Sequence, residues 1–106
     1  MLSKYLSEQW LDANGNPAGG VSTGTGFTIS WQNGPLGTGS ERKEPNGAFV
    51  ETIIDAALRR LEFYQASKFN CKENQEAIGY LMQALLALDS RTKSREIRNI
   101  EGTHQI

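Results

Sequence analysis

The chain has 106 residues, of which 38% are hydrophobic, and its eleven basic and twelve acidic side chains leave a net charge of −1. That length fits one domain over 1–106, and the near-neutral balance argues against a general binder of nucleic-acid polymers held by phosphate neutralisation. No apolar run approaches the ~20 residues needed to cross a bilayer, and the N-terminus lacks a basic region followed by an apolar one, so we expect no membrane partner and a cytoplasmic location.

The first 45 residues hold eight of the eleven glycines and all three prolines. Such a stretch makes strands and turns rather than helices. Asn14-Gly15-Asn16 is a turn signal between strand-like Lys4–Asp12 and Val21–Thr25. Gly26–Gln32 then alternates with β-branched and aromatic residues, giving two or three antiparallel strands. Phe27, Ile29 and Trp31 share one face at this period, expected to cover the helices that follow. A loop from Asn33 to Pro45, carrying Gly34, Pro35, Gly37 and Gly39, leads onward.

From Asn46 the pattern changes to helical. Asn46 is a suitable N-cap, and Phe49, Ile53, Ala56, Ala57, Leu61 and Tyr64 follow at helical spacing, predicting helix one over about 47–66. After a short connection, Asn70 with Glu73 resembles a capping box. Ala77, Ile78, Leu81, Met82, Leu85 and Leu88 then form a second stripe, predicting helix two over about 71–97. So short a link makes the helices antiparallel neighbours. The fold class is α+β: a small N-terminal antiparallel sheet over 1–45, then an antiparallel two-helix hairpin with a basic end over 46–106.

Charge is uneven along the chain, and only residues 91–106 are net positive, at +2. Helix lengths at 1.5 Å per residue bring helix two back level with Asn46 near Arg91. Arg91 and Arg95, four apart on one face, are thereby expected beside the glycine-rich loop and the free N–H groups of Gly47 and Ala48, an arrangement suited to an anion. The competing reading is that Arg91, Lys93, Arg95 and Arg98 answer the helix dipole, with Glu96 and Glu101 as partners.

Other candidates carry less chemistry. Gly34-Pro-Leu-Gly-Thr-Gly-Ser40 lacks the Lys-Ser/Thr of a P-loop and reads as a plain loop. Cys71 reads as a buried small hydrophobe before it reads as a nucleophile, His104 as a solvated end residue, and Glu51 with Asp55 as a solvated face before paired carboxylates. One cysteine and one distant histidine give neither a disulfide nor zinc-ligand spacing. Phe63, Tyr64 and Phe69 read first as core packing around the interhelical turn. The sharper reading makes them a base-stacking platform with Asn74 as a reader of the base edge. No assembled catalytic set is visible, so no enzyme activity and no cofactor are expected.

Four separated motifs, in order, resemble a known family: Gly26–Gly37 with its Trp-Gln-Asn-Gly-Pro core, Glu44-Pro-Asn-Gly-Ala48, Phe69-Asn-Cys-Lys-Glu-Asn74, and Arg91-Thr-Lys-Ser-Arg95 continuing to Ile100-Glu-Gly-Thr-His104. The family is the small bacteriophage sponges that disarm bacterial Thoeris immunity, related through a shared helical hairpin to sponges acting against CBASS immunity. The resemblance spans about residues 26–106. It implies a homo-oligomer of dimers, often a hexamer, that binds a cyclic nucleotide signal in the host cytoplasm without cleaving it. The implied ligand is a cyclic ADP-ribose isomer, with cyclic di- or trinucleotides in some members.

On that resemblance Arg91 and Arg95 match phosphate-holding arginines, and Asn74 matches an asparagine near the start of helix two. Phe63 and Tyr64 both align with the aromatic position. Gln32, Gly34, Pro35, Asn46 and Gly47 complete the candidate ligand contacts. Ile100 stands where valine is usual and Asn99 where glycine is frequent. Geometry adds one constraint: Asn74 and Arg91 are about 26 Å apart along one helix, so a ligand touching both draws on two chains. The competing class is a small phage regulator whose hairpin docks on a host protein, and an enzyme acting on the same nucleotide is third.

Overall fold

A computed structural model describes residues 1–98 and 101–104. It contains two compact units. One comprises Met1–Phe49 with the described part of the C-terminal segment, and the other is Val50–Arg98.

The first unit is a three-stranded antiparallel meander of β1 (Tyr5–Leu11), β2 (Pro17–Gly24) and β3 (Phe27–Trp31), in that spatial order. The turn between β1 and β2 is built by Asp12, whose carboxylate accepts the N–H groups of Asn14 (2.8 Å) and Asn16 (3.0 Å). This local bonding lets β2 begin at Pro17, earlier than the predicted Val21.

Register explains why the central strand is so small. Cross-strand rows set Tyr5, Gly24 and Phe27 together, then Ser7, Ser22 and Ile29, then Gln9, Gly20 and Trp31. With Gly, Ser and Gly in the middle, side chains of the outer strands lean inward over β2. Tyr5 and Phe27 thus meet across Gly24 with ring centroids 5.8 Å apart. The indole N–H of Trp31 donates to the buried Ser22 hydroxyl at 3.3 Å. Phe27, Ile29 and Trp31 share a face, as their alternation predicts.

After β3 the chain loops away and returns. Ala48 pairs in parallel with Trp31: its N–H donates to the Ser30 carbonyl at 2.8 Å, and its carbonyl accepts the Gln32 N–H at 2.9 Å. This extended segment delays the helix. A Cβ on Gly47 would lie 2.6 Å from the Trp31 carbonyl oxygen, so only glycine permits the approach.

The second unit is the helical hairpin of α1 (Val50–Gln65) and α2 (Lys72–Ile97). The two buried side chains of these helices are Leu58 and Ile78, 4% and 7% exposed. Along α2, Asn74, Ile78, Leu81, Leu85, Leu88, Thr92 and Arg95 are buried or half-buried in steps of four and three, flanked by half-buried Ala77, Gly79 and Ala84, the spacing of a coiled-coil seam. On α1, Ile54, Leu58, Leu61 and Gln65 do the same. Leu58, absent from the predicted stripe, is the residue that anchors it, whereas Ala56, Ala57 and Met82 are exposed. The buried stripe of α1 is centred about one position later than the predicted one, on Leu58, whose side chain offers more apolar surface to the seam than Ala56 or Ala57.

Both predicted caps are corrected. Asn46 caps nothing, because its side chain is spent within the loop described below. At α2 the cap position is Cys71, without a side-chain bond, while the Asn70 amide turns back to the Ser67 carbonyl at 2.9 Å. The connection is held instead by Gln65, whose amide accepts the Cys71 N–H (3.1 Å) and donates to the Cys71 carbonyl (2.9 Å). A side chain from the end of α1 thereby supplies partners to the backbone of Cys71, the cap position of α2. Among the described residues, no helix is long and apolar enough to cross a membrane.

Candidate functional site

The predicted ligand contacts fall in three places. Phe63, Tyr64 and Asn74 lie at the turn end of the hairpin, since the first two sit in the last turn of α1 and Asn74 in the first turn of α2. Arg91 and Arg95 lie at the far end of α2. Gln32, Gly34, Pro35, Asn46 and Gly47 belong to the sheet unit.

At the turn end the aromatic side chains are surface features, which corrects their first reading as core. Phe63 is 63% exposed, Phe69 65% and Tyr64 38%. Three large rings thus stand exposed around one short turn. Phe63 and Tyr64 meet edge to face, with centroids 6.0 Å apart. The Arg60 guanidinium lies 5.2 Å from the Phe63 centroid and 4.9 Å from that of Tyr64, and donates to the Tyr64 hydroxyl at 3.2 Å. Sequence reasoning missed Arg60, although its place three and four residues before the two aromatics is a readable signal. Ser67 organises the turn: its hydroxyl donates to the Tyr64 carbonyl and accepts the Phe69 N–H.

The opposite end is cationic. α2 is continuous across its 26 residues, ten more than α1, so about 15 Å of it extends past the first residue of α1. Arg91 on this extension is exposed and Arg95 half-buried, in line with Leu88 and Thr92. Lys93 pairs with Asp89 at 3.0 Å, and Glu101 pairs with Arg42 of the sheet unit.

Within the sheet unit, an amide knot fixes the loop. The Gln32 carbonyl oxygen accepts the Asn46 N–H at 2.9 Å and its amide nitrogen donates to the Gly34 carbonyl at 3.2 Å. Asn46 in turn accepts the Asn33 N–H (2.8 Å) and donates to the Asn33 carbonyl (3.0 Å). These bonds make Gln32 and Asn46 scaffold residues, and the Ala48 N–H expected to be free is occupied by Ser30. Further on, Gly37 donates to the Gly102 carbonyl at 2.7 Å, and Arg42 makes a bidentate pair with Glu101. The Glu-Gly-Thr segment is thus strapped to the glycine-rich loop. The unusual positions Asn99 and Ile100 lie outside the described residues.

The remaining candidates resolve plainly. Cys71 is exposed, not buried. His104 has a neighbour, with its Nδ1 3.4 Å from the Asn16 amide nitrogen. Asp55 pairs with Arg59 at 3.3 Å, and Glu62 with the same guanidinium at 2.8 Å. The hydrogen bond that Arg59 donates to Glu62, then the charges of Asp55 and Glu62, push the Arg59 pKa up. These ion pairs rim an open groove of about 390 Å³ between the helices, floored by Leu58, Met82, Leu85 and Leu86. Among the described residues, no cluster of three or more His, Cys, Asp or Glu stands together as a metal site.

No protein-family model matches the chain. Over 78 residues, 74% of the chain, it is 41% identical to a protein of Bacillus phage SBSphiJ7 described as Thoeris anti-defense 1. The match covers 52% of that relative, so the chain spans about half its length.

Proposed function

The chain belongs to the Thoeris anti-defence family, and on that premise we propose that it is a phage sponge: it binds a cyclic nucleotide immune signal and holds it without cleavage. A cyclic ADP-ribose isomer is the ligand class of first choice, with cyclic di- or trinucleotides as further ligands. The observation that carries this reading is the exposed aromatic pair Phe63–Tyr64 at one end of the hairpin, with Arg91 and Arg95 four residues apart at the other. Stacking on a ring contributes on the order of 1–3 kcal/mol per base. Arginine adds charge-assisted, often bidentate contacts to phosphate. A sponge needs this affinity and no proton-transfer machinery.

Because α2 holds Asn74 and Arg91 on one continuous helix, seventeen residues apart, the site proposed here is shared between two chains. An antiparallel dimer of hairpins sets the aromatic end of one chain beside the arginine end of the other, and such dimers assemble further into a hexamer. Gln32 and Asn46 act in this reading by shaping the loop that carries Gly34, Pro35 and Gly47.

The alternative, a regulator docking on a host protein, draws on the apolar groove with exposed Met82 and Leu86. One experiment separates these readings. The protein is incubated with a cyclic ADP-ribose isomer, freed of unbound ligand and heat-denatured, and the released nucleotide is identified. Intact ligand supports a sponge, altered product identifies an enzyme, and no ligand favours the regulator. Arg91→Ala or Arg95→Ala is expected to weaken capture on the order of a hundredfold, from the loss of a charge-assisted contact, with fold and assembly unchanged. Unchanged affinity by calorimetry in both variants refutes the assignment of these arginines.

A further inference from the structure

We infer that Arg60 is a positioning residue of the ligand site, fixing the Phe63–Tyr64 pair in the arrangement that receives a nucleobase. The inference rests on the nucleotide-binding reading above and extends it to a residue outside the candidate contacts.

Two exposed aromatic side chains on adjacent positions of a helix end ordinarily exchange rotamers freely, and a ligand that stacks on them must first arrest that motion. Arg60 arrests it beforehand. Its guanidinium sits about equally far from both centroids, 5.2 and 4.9 Å, and at the same time donates to the Tyr64 hydroxyl. One planar group therefore holds two rings through their faces and one through its polar tip. The helix dictates this convergence, since positions three and four residues apart share a face. The rings are locked edge to face at 61°, and Phe63 remains the more exposed of the two. A base stacking there meets a surface already set in place.

Lysine cannot substitute. An ammonium is a compact charge that cannot stack flat and reach the phenol together. Charge alone and geometry are thereby separable by mutation.

The test is calorimetric titration with a cyclic ADP-ribose isomer of the wild type, Arg60→Ala, Arg60→Lys, Tyr64→Phe and the Arg60→Ala/Tyr64→Phe double variant. Far-UV circular dichroism checks the helices, and Arg91→Ala marks loss of the site itself. Arg60 is exposed and alanine favours helix, so the fold is retained. The expected result is affinity about three- to tenfold weaker in Arg60→Ala, in keeping with exposed cation–π contacts plus one hydrogen bond. Arg60→Lys does not recover it, and Arg60→Ala has a smaller effect when Tyr64 is already Phe. Wild-type affinity in Arg60→Ala, full rescue by lysine, or additive losses in the double variant overturns the inference while leaving the sponge reading intact. A wild type that takes up no nucleotide overturns both.

Discussion

If ligand is gripped by Asn74 of one chain and Arg91 of another, two variants that are each inactive should restore binding when mixed. Asn74 and Arg91 stand seventeen residues apart on the unbroken α2, about 26 Å at 1.5 Å per residue. A single chain cannot bring both onto one nucleotide without breaking the helix. In a symmetric dimer each site takes its asparagine from one subunit and its arginine from the other. A mixed dimer of Asn74→Ala and Arg91→Ala therefore contains one site with both residues native and one with both lost. Random exchange at equal concentration makes half the dimers mixed, so about a quarter of wild-type sites should reappear. The assay is calorimetric stoichiometry after co-refolding the two tagged variants, with each variant alone as control. Recovery of no sites from a verified mixed dimer refutes the shared-site geometry, and full affinity in either single variant removes that residue from the site.

Leu58→Ala should destabilise the hairpin by about 2–4 kcal/mol, because Leu58 is its most buried side chain and the cavity cannot refill from a seam only one residue deep; a urea midpoint followed by helical circular dichroism measures it. Gln65→Ala removes both bonds to Cys71 and should cost about 1 kcal/mol, visible as faster hydrogen exchange at the Cys71 amide while the middle of α1 stays protected. Gly102→Ala places a side chain at φ 82° with its Cβ 2.3 Å from the Gly37 oxygen. Backbone strain of roughly 1–2 kcal/mol then adds to that collision, and Gly37 amide protection should fall; undiminished protection contradicts the strap.

Much of the architecture was legible because hydrophobic period changes sharply near Asn46. Alternation named β3, and the three-four spacing of Ile78, Leu81, Leu85 and Leu88 named α2. What failed was the chemistry of the joints. Asparagine suits a helix cap and a loop knot equally well, and only three-dimensional proximity of Gln32 and Asn33 assigns Asn46 to the second role. Likewise Gln65 carries no signal in sequence that its amide will clamp a residue six positions on. The aromatic trio was legible as a cluster, yet its exposure was not, since phenylalanine and tyrosine at helical spacing ordinarily mark a core. The pairing of Glu101 with Arg42 joins residues 59 apart, beyond any local rule.

That last pairing changes how the polypeptide must mature. The hairpin is an insertion within the sheet unit, because the strands precede it and the Glu101–Gly102 segment that straps their loop follows it. The sheet unit therefore stays unfinished until both helices have been synthesised, and its closing bonds span a long stretch of chain. The helices, built from neighbours in sequence, are the spacer between the strands and the strap. Lengthening or exchanging the hairpin between residues 50 and 98 should leave the sheet unit able to close, whereas removing residues 101–104 should leave Gly37 and Arg42 without the partners that complete it.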